Sequence, residues 1–260
     1  MIFDPVIHAL SMPQGARVDQ RVPKKLLVEQ GAPTAADKRQ IQDGIEELLW
    51  VAALKPTNIG VTEFRDEIRE YLEIAVLTVT LRTDAKPTRL IELIHRAIPY
   101  PLVLLAAQAE SVSLSLAHKR WSQGEKGQVV IEDVRRTSPF RPEAPTSQEA
   151  AFLASLPLSA VPAKDLFSLY QGWIDRVGAL EAALITGNYS APESPDRAIA
   201  LRDGLDAHAR IQRELASLRA QATKEKQINR RVDLNLSIKR LEAELLVAGK
   251  TLTGTSDESH

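Results

Sequence analysis

Apolar and polar positions alternate differently along the two halves of the chain. From Tyr71 to Leu81 nearly every position is apolar or β-branched, with Ile74, Val76, Thr78, Val79 and Thr80 in the run. So few polar residues predict a strand buried on both faces. Pro87 then opens a helix over 88–97, where Leu90, Ile91, Leu93 and Ile94 share one side. Ile98-Pro99-Tyr100-Pro101 stops it, because a residue before proline is driven out of the helical region. Leu102–Gln108 and Ser111–His118 predict two strands joined at Ala109-Glu110. In the second, Val112, Leu114 and Leu116 alternate with Ser111, Ser113 and Ser115, the pattern of a half-buried hairpin arm. Gln128–Val134 predicts one more strand.

Residues 1–33 are turn-rich, with Pro5, Pro13, Pro23 and Pro33. Thr34 is placed to cap the free amide of Asp37. The helix it starts is expected to run through Ile41, Ile45, Leu48 and Leu49 and to stop before Pro56. These elements predict an α+β domain over 1–140, a small mixed or antiparallel sheet with helices on one face.

Downstream the period changes. Arg141–Ala163, with four prolines, is expected to be a linker holding at most a short helix. Lys164–Ile185 carries Leu166, Leu169, Tyr170, Trp173, Ile174, Val177 and Leu180 at helical spacing. Gly187–Ser194 interrupts it, and Ser194-Pro195 is a helix start, a capping hydroxyl before a proline at the first position. All fifteen prolines lie at or before Pro195, and no glycine falls within 205–248. Two apolar stripes follow, Leu201 to Ala222 and Leu234 to Leu245, separated by the polar stretch Thr223–Gln227. They do not share one heptad register, which favours two antiparallel helices hinged near Thr223 over one long helix in a coiled coil. Residues 164–250 are thus a helical hairpin or coiled coil, with 251–260 expected to be disordered.

Composition narrows the chemistry. The chain has no cysteine, which excludes disulfides, thiolate catalysis and zinc–thiolate sites and fits the cytoplasm. The first ten residues lack the basic-then-apolar order of a signal peptide, and no apolar run approaches membrane-spanning length, so no membrane contact is expected. A net charge of −1 lacks the basic excess usual in a freestanding nucleic-acid-binding domain.

His8, His95, His118, His208 and His260 lie apart in sequence, and no pair has metal-ligand spacing. A magnesium nuclease would need strand-end acids followed by Glu-x-Lys on the next strand. Asp66, Glu67, Glu70 and Glu73 supply acids, but no such Glu-x-Lys follows. A phosphate-binding Gly-x-x-x-x-Gly-Lys loop and a Gly-x-Gly-x-x-Gly turn are also missing. No catalytic centre, metal or cofactor is therefore expected.

Two clusters are candidates for recognition. Lys119, Arg120 and Trp121 end a strand and could grip a phosphate and stack on a base, or simply guard a sheet edge with charge. Lys224, Lys226, Arg230 and Arg231, interleaved with Gln227, Asn229 and Asn235, form the densest basic group. On a helix Lys226 and Arg230 would share a face, and Asn229 and Asn235 would lie close to the apolar seam.

The run Lys224-Glu225-Lys226-Gln227-Ile228-Asn229-Arg230-Arg231-Val232-Asp233-Leu234-Asn235 resembles the C-terminal signature of a bacterial family of unknown function. In that family the block reads Lys-Glu-Lys-Gln-aromatic-Asn-Arg-Lys-Val-Glu-Leu-Asn. Ile98-Pro99-Tyr100-Pro101 and His118-Lys119-Arg120 match its middle, and Val22-Pro23-Lys24-Lys25 and Trp50 match more weakly. The resemblance spans 20–247, and Ile228 departs from the usual aromatic. It implies genes beside a type III-like DNA methyltransferase and a superfamily-two helicase, in restriction or phage-defence clusters. The expectation is a non-catalytic accessory subunit that docks on the methyltransferase or helicase. Leu215, Leu218, Leu241 and Leu245 would then face the partner. The alternatives are a DNA-binding module and, last, a metal-dependent nuclease around Glu70 and Glu73.

Overall fold

The computed structural model describes residues 1–122, 124 and 129–253. Its elements run α1 (Asp4–Ala9), β1 (Arg17–Arg21), α2 (Lys24–Gly31), α3 (Ala35–Gly44), β2 (Ile45–Leu54), α4 (Pro56–Ile59), β3 (Phe64–Arg65), β4 (Glu70–Tyr71), β5 (Ile74–Leu81) and α5 (Pro87–Ala97). They continue with β6 (Leu102–Gln108), β7 (Ser111–Trp121), β8 (Val129–Arg136), α6 (Ser147–Ser155), α7 (Leu166–Thr186), α8 (Pro195–Lys224) and α9 (Ile228–Thr253). Two compact units, Met1–Val177 and Gly178–His260, divide inside α7.

The first unit is α+β. Its six-stranded sheet has the order β1-β2-β5-β6-β7-β8. Only β5 and β6 are parallel, in register from Ala75↔Leu102 to Leu81↔Gln108, and α5 connects them. Parallel neighbours need such a crossover, whereas the antiparallel β6–β7 pair closes with Ala109-Glu110. The expected central strand is therefore β5, with its apolar run buried between β2 and β6.

The helix expected from Thr34 begins as read, with the Thr34 hydroxyl accepting from the Asp37 amide at 3.1 Å. It does not reach Pro56. It ends at Gly44, and Ile45–Leu54 is strand β2, hydrogen-bonded to both β1 and β5. The run from Leu48 to Leu54 is apolar at almost every position. A helix would leave part of it in water, and a strand inside the sheet hides it. Gly44 fits the junction, since a Cβ there would lie 2.8 Å from Leu90 Cδ1.

Ala75, Leu77 and Val79 of β5 and Leu102, Leu104 and Ala106 of β6 pack with Leu27, Ile41, Leu90, Ile91 and Ile94 of α2, α3 and α5. The alternate residues, Val76, Val103 and Leu105, are equally buried. The expectation of helices on one face alone is thereby corrected: both faces of the sheet are covered. Segment 137–177 contributes the buried Phe140, Phe152, Leu156, Leu169, Tyr170 and Trp173. The expected linker 141–163 thus contains α6, capped by Thr146 accepting from the Glu149 amide, and the buried Phe152, Leu156 and Val161. The serine-rich face of β7 is also not in water. Ser113 and Ser115 lie opposite Ala106 and Leu104, on the side of the sheet that α5 covers, and both are buried.

Helices α2, α3 and α5 are pinned together. Arg89 donates to both carboxylate oxygens of Asp37 at 2.8 and 3.0 Å. That bidentate bond, helped by Thr34, holds the Asp37 carboxyl down at about 2. At Gly31, a Cβ would sit 2.6 Å from the Leu93 carbonyl oxygen and 2.7 Å from the Ala97 methyl. Gly31→Ala is therefore expected to push α2 off α5 and cost about 1–3 kcal/mol, read as a lower urea midpoint. An unchanged midpoint would show that the contact yields freely.

The second unit is a helical hairpin. Ser194 caps α8, accepting from the Arg197 amide at 3.2 Å. Residues 225–227 separate α8 from α9, two residues past the expected hinge. Ile211, Leu215 and Leu241 form the buried seam, with Leu218, Ile238 and Leu245 against it. Near the open end Leu252 packs on Leu201 and Leu205, and Gly204 makes room, since a Cβ there would meet Leu252 at 2.9 Å. Arg197 donates to the carbonyls of Thr251 and Leu252 at 3.2 and 2.6 Å, closing the end of α9. Residues 251–253, expected to be disordered, continue that helix, while 254–260, like Gln128 of the predicted last strand, lie outside the described residues.

Candidate functional site

Lys119, Arg120 and Trp121 occupy the end of β7 but divide between interior and surface. β7 pairs with β6 along Ser111–Ser115 and with β8 along Ser115–Trp121, so at residues 119–121 its strand partner is β8, beyond the end of the β6 ladder. Lys119 points inward and is only 4% exposed. Its ammonium donates to the Ile98 carbonyl, at the C-terminal end of α5. That end carries partial negative charge, which favours a cation there. No carboxylate lies within ion-pair reach of Lys119 among the described residues, and burial pushes its amine down to about 7. Arg120 stays near the surface, 3.9 Å from Glu132, which Arg69 also binds at 2.9 Å. Trp121 is exposed, and its backbone amide donates to the Ile68 carbonyl at 2.7 Å. A cavity of about 230 Å³ lies here, walled by Tyr100, Pro101, Arg120 and Trp121 among others. Lys119 lines this cavity too, but its amine is committed to Ile98, so of the expected two cations and an aromatic Arg120 and Trp121 are the ones that reach the surface.

Beneath α5, His95 Nε2 lies 3.0 Å from Ser115 Oγ. The residue types suggest a nucleophile and its base, but the hydrogen-bond directions are reversed. Ser115 Oγ donates to the Leu104 carbonyl at 3.4 Å, so it accepts from His95. The His95 Nδ1 is then a bare acceptor, and it has no partner. Burial, with the nearby Lys119 charge second, holds His95 neutral. Both side chains are fully buried, beyond the reach of a substrate.

A second interior network escaped the sequence reading. Tyr71, His118, Phe167 and Tyr170 form an aromatic cluster, with His118 stacked on Phe167 at 5.0 Å between centroids. Gln171 Nε2 donates to Asp175 at 2.8 Å, which fixes the amide so that its oxygen faces His118 Nε2 at 2.7 Å. His118 therefore carries its proton on Nε2 and accepts from the Tyr71 hydroxyl at Nδ1. Burial lowers the basicity of His118, against the Gln171 hydrogen bond. The Tyr170 hydroxyl accepts from the Ala117 amide at 2.9 Å and donates to the Leu102 carbonyl at 2.8 Å, tying α7 to β6 and β7. The partners lie 47 and 53 residues from His118 along the chain, a separation no local motif records.

The strand-end acids are dispersed. Asp66 accepts from the amides of Ile68 and Arg69 in a turn, Glu70 pairs with Arg65 at 3.2 Å, Glu73 pairs with Lys55 at 3.1 Å, and Glu67 is exposed. No cluster of three or more metal-ligating side chains occurs among the described residues. No described helix is long and apolar enough to cross a membrane.

The basic cluster lies in the second unit. Lys224 ends α8, Lys226 and Gln227 lie in the connection, and Asn229, Arg230, Arg231 and Asn235 lie on the first turns of α9. Lys226 and Gln227 are thus outside the helix that was expected to place them beside Arg230 and Arg231. All seven are exposed, including the asparagines expected near the seam. Six cations oppose two carboxylates over 224–240, in a chain of net charge −1. Leu215, Leu218, Leu241 and Leu245, expected to face a partner, instead pack on one another inside the hairpin. The opposite side of α9 is where apolar residues meet solvent: Ile228 is 69% exposed, Val232 51% and Leu236 62%.

The fold and the sites define a class: an α+β unit with His95, His118, Ser113 and Ser115 held in its interior, and a helical hairpin that displays cations and aliphatic groups. Within that class the chain belongs to the family described as a domain of unknown function, DUF4391, whose model matches residues 10–245. No curated protein and no solved structure matches the chain.

Proposed function

We propose that this chain is a non-catalytic accessory subunit that docks on a partner protein through its helical hairpin. The observation that carries the reading is that α9 has two apolar sides. One is consumed by the seam with α8, and the other, with Ile228, Val232, Leu236, Leu246 and Val247, is exposed. Exposed aliphatic groups in a contiguous patch mark interaction surfaces. The family resemblance supplies the setting, a restriction-modification-like or phage-defence system. Its DNA methyltransferase or helicase is the partner to test first. Co-expression of the tagged chain with both is expected to yield a complex that Val232→Glu abolishes. Absence of any complex, or DNA cleavage by the chain alone, would overturn the reading.

A second reading rests on the cations of the same region. Lys224, Lys226, Arg230, Arg231, Lys239 and Arg240 are exposed and have no ion-pair partner among the described residues. On that reading the hairpin contacts a DNA backbone, and binding weakens steeply with salt.

A further inference from the structure

The outer side of α9 has a composition that specifies its partner. At about 100° per residue, Ile228, Val232, Leu236, Ala243, Leu246 and Val247 fall within an arc of roughly 100°, opposite the seam residues Leu234, Ile238, Leu241 and Leu245. Lys239, Arg240 and Lys250 lie on or beside that arc, and all three are exposed. The carboxylates of α9 lie elsewhere. Asp233 and Glu244 lie past its edge, and Glu242 is turned toward α8, where it accepts from Arg219 at 2.7 Å. The arc itself thus carries aliphatic groups and cations but no acid, with Glu244 on its border beside Arg240, Ala243 and Val247.

We infer that the outer face of α9 docks an amphipathic helix whose apolar stripe is flanked by carboxylates. The inference rests on the docking reading above and adds the chemistry of the partner. Two helices associate by burying apolar stripes, and flanking charges choose between partners. A second copy of this chain is the wrong partner. Related by a two-fold axis, two such faces would bring Lys239, Arg240 and Lys250 of each copy into one contact. No carboxylate within either arc would meet them, and like charges so placed repel. A nucleic-acid backbone would use the cations, but it leaves Ile228, Val232 and Leu236 without a role. An acidic amphipathic helix uses both.

The test uses the full chain and fluorescent synthetic helices of identical leucine stripe. One is flanked by glutamates and the other by lysines, and duplex DNA is a third probe. The glutamate helix is expected to bind at least about tenfold tighter than the lysine helix at physiological ionic strength. The Lys239→Glu, Arg240→Glu double variant is expected to reverse that preference. Val232→Glu is expected to remove binding of both while leaving the helical circular dichroism unchanged. Three results overturn the inference. The first is equal binding of the two helices. The second is a concentration-dependent dimer of the chain that Val232→Glu disperses. The third is binding of DNA that depends on Arg240 but not on Val232, with no binding of either helix. If the peptides fail while the co-expressed complex forms and is lost in Val232→Glu, the docking reading stands and the acidic partner falls.

Discussion

The native chain is expected to gain stability with pH between about pH 7.5 and 9.5, and Lys119→Met to remove that rise. In the unfolded chain a lysine titrates near about 10.4. In the fold, burial holds Lys119 at about 7. Between those values the unfolded state binds a proton that the folded state has released, so stability climbs with pH. One proton is worth about 1.4 kcal/mol per pH unit, so the window gives roughly 2–3 kcal/mol. His95 acts with the same sign at lower pH. Its basicity is depressed by burial, so the stability present above about pH 6.5 is lost as pH falls below it. Tyr170 and Tyr71 set the upper limit. Burial pushes both phenols up, so stability declines once unfolded tyrosines ionise above about pH 10. Methionine fills a volume similar to that of lysine but cannot donate to Ile98, and an unpaired buried carbonyl costs about 1–3 kcal/mol. The variant should therefore lie closest to the native chain near neutrality and fall progressively behind it toward pH 9.5. Urea midpoints across the pH series measure this directly. A slope in Lys119→Met as steep as the native one would place its origin in other groups.

The same lysine shows where a sequence stops being informative. Its neighbours in the chain are His118, Arg120 and Trp121, and nothing local distinguishes an inward lysine from an outward one. What turns it inward is the end of α5, whose Ile98 carbonyl needs a donor after the helix stops before Pro99. Features fixed by one or two adjacent residues were legible. Thr34 and Ser194 cap their helices, Pro87 opens α5, and the parallel strand β5 lies at the centre where its apolar run required. Features fixed by distant chain were not. Ile45 continues the apolar period of the helix before it, and only the ladder to Leu81 and its neighbours makes it a strand. The alternating serines of β7 have the sequence pattern of a solvent face, yet α5 covers them, and His95 satisfies Ser115 from another element. For the hairpin the period favoured the fold that is found but left a single long helix open. The phase break near Thr223 separated two helices, and the paired stripes gave the seam. The outer stripe of α9, with Leu236 and Leu246 beside Ile228, Val232 and Val247, has no facing stripe on α8, so pairing the two periods left it out.

That division of leucines leads to the largest expected effect. Leu215→Ala combined with Leu241→Ala removes facing side chains that are 3% and 9% exposed in one seam. Each truncation of a buried leucine costs about 2–4 kcal/mol, depending on how far the cavity collapses. The two residues share neighbours, so their costs need not add. The hairpin is built of helices alone, and its two long helices rely on packing to remain helical in water. The double variant is expected to lose helical signal and hydrogen-exchange protection across 195–253. Val232→Glu, on the opposite side of α9, is expected to change stability by no more than about 0.5 kcal/mol, since an exposed side chain gives up little on substitution. Both should abolish the partner complex, one by dissolving the hairpin and the other by charging its outer face. Hydrogen exchange separates these routes. Full protection of 195–253 in the double variant would mean that the leucine seam does not hold the two helices together. If the complex were also lost there, the inner stripe would be the docking surface after all.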